Sequence, residues 1–203
     1  MTFTAPVLNY AQLAPMLIVL AGALIGVLIE AFAPRASRHT SQLFIAVASL
    51  VAAFAALVRV RNQSSVDAAM GSVGFDGAGV LLQGTILIIA LLSVFLIADQ
   101  ENFTALAAAV PGSSEERESL QLDLRVTEVY PLTLFAVAGM LLFPVSTDLI
   151  TLFVALEMLS LPLYLMAGLS RRRRLMSQES ALKYFLLGAF SSAFFLFGVA
   201  YLY

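Results

Sequence analysis

The sequence predicts an all-α fold, a polytopic transmembrane bundle of about six helices. Three observations carry this reading. Of the 203 residues, 61% are hydrophobic and only 12% are charged, with a mean hydropathy of +0.94. Soluble domains stand nearer half apolar and a quarter charged. The apolar runs are continuous rather than alternating, which is the pattern of membrane helices and not of a barrel. Finally, the arginines gather in alternate loops.

The first run covers 13–32. About 20 apolar residues, each rising about 1.5 Å, cross the roughly 30 Å hydrocarbon core. Nothing basic precedes Arg35, so the run lacks the basic stretch that opens a cleaved signal peptide. Further spans are expected at 43–58, 80–98, 129–145, 149–169 and 180–203. The second and fourth are short and are expected to extend into flanking residues. The loops after spans one, three and five hold Arg35 and Arg38, Arg117 and Arg125, and the four arginines at 171–174. The loop after span two holds only Arg59 and Arg61, and the loop after span four holds no base. By the positive-inside rule, the odd-numbered loops face the cytoplasm and the N-terminus lies outside.

The cytoplasmic loop at 99–128 is the longest connection. Its Pro111, Gly112, Ser113 and Ser114 form a turn signal, and it is expected to be the most mobile part of the chain. The segment 103–110 is too short to span. No internal repeat is visible, and residues 1–203 read as one transmembrane domain. Tyr203 falls within an apolar run, so the sequence is expected to be a piece of a longer protein.

Composition also excludes chemistry. There is no cysteine, which removes thiol catalysis, disulfides and cysteine-ligated clusters. His39 is the single histidine, so this chain alone cannot build a haem or metal site from paired histidines. The net charge of −2 offers no basic surface for nucleic acid.

The residue that stands out is Glu157. It lies inside the apolar run 149–169, with no other formal charge between Asp148 and Arg171. Arg171 is fourteen residues further on, about 21 Å of helix, so the carboxyl sits deep in the bilayer. An acid at a membrane helix centre costs roughly 2.5–3.5 kcal/mol, and such residues generally mark a proton or ion path. The competing reading is a structural acid bonded to a neighbouring helix. Pro162 lacks an N–H and frees the carbonyl of Met158, beside the acid, which predicts a kink.

Lys183 is the only lysine and the base of the next span. Burial would make it a proton carrier; the alternative is a local ion pair, since Glu179 stands four residues earlier, in the favoured acid-before-base order on a helix. It could also trade Glu179 for Glu157. Asp148 opens span five, where an acid suits the helix dipole, and Glu30 closes span one as an interfacial charge. Asp148, Glu179 and Glu30 are therefore secondary candidates. Gly188 and Ser192, four apart, suit close helix approach.

From Gly139 onward the chain resembles subunit N of bacterial NADH-quinone oxidoreductase, respiratory complex I. The stretches LEMLSLPLY and ESALKYFLLGAFSSAFFLFGVAYLY carry the resemblance. It implies the N-terminal part of an antiporter-like fold, related to Mrp-type cation/proton antiporters. It implies a proton-translocating subunit of the bacterial inner membrane, driven by electron transfer from NADH to quinone elsewhere in the complex. The family's fifth-helix acid falls on Glu157 and its sixth-helix lysine on Lys183. The lysine that pairs with the acid lies on a broken seventh helix, beyond this sequence. No cofactor is expected on this chain; NADH, FMN, iron–sulfur clusters and quinone belong to the whole complex. The expected partners are other membrane-arm subunits and lipids. Two alternatives remain open: a subunit of an Mrp-type antiporter, and a purely structural piece of the membrane arm.

Overall fold

The structure, a computed structural model, describes residues 8–62, 66–99, 113–114, 127–169 and 174–202. Six α-helices stand among them: α1 (Tyr10–Phe32), α2 (Arg35–Val60), α3 (Gly77–Ala98), α4 (Val129–Leu142), α5 (Leu149–Leu169) and α6 (Arg174–Leu202). The expectation of an all-α membrane bundle is met. Five of the helices are long and apolar enough to cross a membrane, and the fourth apolar segment, Val129–Val145, is shorter. Most of the 99–128 connection, including 103–110 and the expected mobile turn at Pro111 and Gly112, lies outside the described residues.

The helix ends follow from local chemistry. Pro34 cannot continue α1 and stands instead as the extended cap from which α2 begins. Asp76 caps α3, its side chain accepting from the Gly79 N–H at 2.6 Å. Asp148 does the same for α5, accepting from the Thr151 N–H at 2.7 Å. α2 starts at Arg35, well before the expected 43, and α6 at Arg174, before the expected 180. Hydropathy marks only the apolar length of a helix, whereas the hydrogen-bonded backbone runs on through polar residues outside the hydrocarbon.

Between α2 and α3 lies a small hairpin that hydropathy does not reveal. Strand β1 (Val66–Asp67) pairs antiparallel with β2 (Gly74–Phe75). The reversal uses positive φ at Met70 (50°) and Gly71 (88°). The hairpin sews that end of the bundle together. The Asn9 N–H donates to the Ala68 carbonyl at 2.9 Å, and the Thr147 N–H to the Ser72 carbonyl at 3.1 Å.

α4 is the central helix. α1, α3 and α5 all pack against it, and α2 packs against α1 and α3. Tyr130, Leu134, Val137, Ala138 and Leu141 of α4 are buried with Val19 and Ala23 of α1, Leu50 and Leu57 of α2, and Leu87 and Val94 of α3. A helix apolar on every side fits such a position. α5 then lies on α4, and α6 on α5, so the chain builds outward and α6 remains largely exposed.

Candidate functional site

Glu157 sits between two unusually close helix contacts. On one side, α4 approaches through Gly139. A Cβ there would lie 2.5 Å from the Leu159 nitrogen and 2.9 Å from the carbonyl carbon of Met158. Those are backbone atoms, which cannot step aside, so only glycine permits this approach. On the other side, α6 meets α5 along a stripe. Phe153 stacks on Phe195 with ring centroids 6.1 Å apart, Tyr164 meets Tyr184 edge-on at 4.7 Å, and the Tyr164 hydroxyl lies against Gly188.

The stripe on α5 reads Phe153, Glu157, Ser160, Tyr164, Gly168, a helical repeat of three and four. Glu157 therefore belongs to the face turned toward α6. It is partly buried as a residue, and its Oε1 is fully buried with no hydrogen-bond partner among the described residues. A buried carboxylate oxygen without a donor is costly. The Ser160 hydroxyl does not serve it, since it donates back to the Leu156 carbonyl at 2.7 Å. Pro162 is buried within α5, which continues helically through it to Leu169.

Lys183 is not brought to Glu157. Its ammonium donates to Glu179 Oε1 at 2.5 Å, with the two side chains 69% and 62% exposed. The seam contacts set Glu157 level with residues 191 and 192, so Lys183 stands about 12 Å back along α6. Lys183 also lies about 200° round the helix from Ala181, which faces Gly168 of α5. It points to the side of α6 away from α5. The exchange of Glu179 for Glu157 expected from sequence is not available in this arrangement.

Glu30 is less peripheral than its position suggests. Its carboxylate accepts from Arg38 Nη1 at 3.0 Å, from Gln42 Nε2 at 3.1 Å and from the Thr127 hydroxyl at 2.7 Å. Gln42 also donates to the Gly26 carbonyl at 2.8 Å. Beside this cluster, the Tyr130 hydroxyl lies 3.0 Å from His39 Nε2. Asp148 has its capping role. Hydrogen bonds from the Thr151 hydroxyl and N–H hold its carboxyl below the usual aspartate range, and burial opposes them only weakly.

Sequence reasoning passed over Gln12 and Gln83, which are 1% and 0% exposed, each with a buried Oε1 that has no partner among the described residues. Gln83 donates to the Leu141 carbonyl at 2.8 Å. An amide inside an apolar run was the available signal. Among the described residues no group of three or more histidines and carboxylates could hold a metal ion.

Comparison with known proteins places this geometry in a family. Residues 146–203 match the family described as NADH:quinone oxidoreductase/Mrp antiporter, TM. A relative from Acidothermus cellulolyticus, an NADH-quinone oxidoreductase subunit N, is 53% identical over 98% of this chain and 39% of its own length. One from Rhodococcus opacus bearing the same name is 52% identical over 100% of this chain and 42% of its own. A chain in the structure of respiratory complex I from Thermus thermophilus with bound aureothin superposes with a TM-score of 0.65 and 29% identity, covering 92% of this chain and 35% of that one. The chain thus spans about two fifths of the length of the curated relatives it matches. With close identity along its whole length, a matching antiporter-type segment and a shared bundle, the chain belongs to the family of NADH-quinone oxidoreductase subunit N, a multi-pass membrane protein.

Proposed function

We propose that the chain is part of a proton-translocating membrane subunit of NADH:quinone oxidoreductase, in which Glu157 carries the proton. The observation behind this reading is the Glu157 Oε1, buried in the apolar middle of α5 without a hydrogen-bond donor among the described residues. An acid held there serves stability poorly and serves proton exchange well. Lys183 and its partner Glu179 supply a second charged group on the open side of α6, with Glu30 and Asp148 in supporting positions. NADH, FMN, iron–sulfur clusters and quinone act elsewhere in the assembly, and the neighbours of this chain are other membrane-arm subunits and lipid. The orientation we propose has the N-terminus outside a bacterial inner membrane, in keeping with the arginine bias.

The test is Glu157→Gln in the assembled enzyme, with proton uptake measured in reconstituted vesicles and enzyme content checked. Uptake should fall at least about tenfold, the effect of about 1.4 kcal/mol on a barrier. NADH oxidation should slow with it, because a blocked pump holds back the redox step to which it is coupled. Normal uptake and normal quinone reduction in a fully assembled variant would refute the reading.

A further inference from the structure

We propose that Ser192 of α6 is a positioning residue for Glu157, supplying the hydroxyl that its carboxyl turns toward. The inference rests on the proton-carrying role of Glu157 proposed above. Its geometry comes from the α5–α6 seam. Three contacts fix which residues of α6 face α5: Ala181 against Gly168, Gly188 against Tyr164, and Phe195 against Phe153. Continuing from Gly188 by four residues, or back from Phe195 by three, arrives at Ser192. The same antiparallel register makes Ser192 level with Glu157, which lies four residues after Phe153 and seven before Tyr164 on the matching stripe of α5.

Burial agrees with this assignment. Ser192 is partly buried, whereas Ser191, turned about 100° away, is exposed. The seam is also tight. Gly139 lets α4 support α5 from behind, and Gly188 lets α6 close on Tyr164 about one turn from Ser192. In this structure Glu157 Oε1 has no donor among the described residues, which leaves that oxygen open to one on the facing stripe. The serine hydroxyl can donate to the ionised carboxylate and accept from the protonated acid, so it suits both states of a group that gains and loses a proton.

The experiment measures proton uptake by the assembled complex in vesicles, for variants confirmed to assemble. Ser192→Ala is expected to slow uptake about three- to tenfold. Ser192→Thr keeps the hydroxyl and should stay within about twofold of the parent, as should Ser191→Ala. In the Glu157→Gln background, Ser192→Ala should add less than about twofold, because its effect passes through the acid. The inference is overturned if Glu157→Gln impairs uptake while Ser192→Ala does not. Equal effects of Ser191→Ala and Ser192→Ala would also overturn it, as would full additivity with Glu157→Gln. Normal uptake in Glu157→Gln alone strikes the functional reading, a separate result.

Discussion

Gly139 of α4 lies directly on the backbone of Leu159 in α5, so that a Cβ at 139 would come within 2.5 Å of the Leu159 nitrogen. The contact falls two residues past Glu157 on the helix that carries it. It makes α4, the most deeply packed helix, the support against which the acid-bearing helix is seated.

Gly139→Ala should therefore be costly despite the small change. Neither backbone can yield locally, so α5 must shift as a body. Overpacking of this kind costs about 1–3 kcal/mol. A lower thermal unfolding temperature of the purified protein is expected. An unchanged one would show that the helices separate more freely than their spacing suggests.

Glu30 should prove structural in its first effect. Removing its carboxylate in Glu30→Ala takes an acceptor from Arg38 Nη1, Gln42 and the Thr127 hydroxyl, of which Gln42 keeps the Gly26 carbonyl. Because the ion pair is partly exposed, the expected loss is about 1–2 kcal/mol. Glu30→Gln, which keeps an acceptor oxygen, should lose less. Thermal unfolding of the two variants side by side checks the order.

Asp148 gives a pH signature. Its carboxyl is held below the ordinary value of 3.8 by the Thr151 hydroxyl and N–H. A lowered folded-state value means that the stabilisation is present above 3.8 and is lost as pH falls below it. Asp148→Ala should cost about 1 kcal/mol near neutrality, as loss of a helix cap does. The gap between parent and variant should narrow in acid. A gap that stays constant down to pH about 2 would count against the capping carboxylate as its source.

Lys183→Ala should slow proton uptake less than Glu157→Gln. The lysine is exposed, bound to Glu179 and turned from Glu157. The vesicle assay that measures Glu157→Gln decides this as well.

Topology can be read by chemistry, because the chain has no native cysteine. Arg172→Cys in sealed vesicles should react only with a reagent supplied from the cytoplasmic face. Labelling from the outer face alone would reverse the proposed orientation.

Much of the bundle is legible in the sequence because the apolar runs are continuous and separated by charged or polar loops, and Asp148 stands where an acid suits a helix start. The Glu179–Lys183 pair is legible too, since a spacing of four on a helix is enough to predict it. Glu157 is conspicuous because a charge among apolar neighbours needs no partner to be noticed. What stays hidden depends on which helix lies beside which. Gly139 reads as an ordinary small residue until Leu159 is opposite it. Glu30 reads as an interfacial charge until Thr127, far away in sequence, arrives beside it. The direction in which Lys183 points likewise becomes clear only when Ala181 is seen to face α5.

The two rims of the bundle are fastened by different materials. Glu30 and its donors hold theirs with side chains, and one substitution can remove any of them. The hairpin rim is fastened by the main chain, through the N–H groups of Asn9, Ala68 and Thr147. Every amino acid except proline brings that N–H with it. These bonds therefore survive a change of side chain, and what binds the hairpin to particular residues is the positive φ at Gly71 and the burial of Ala68, Val73 and Phe75.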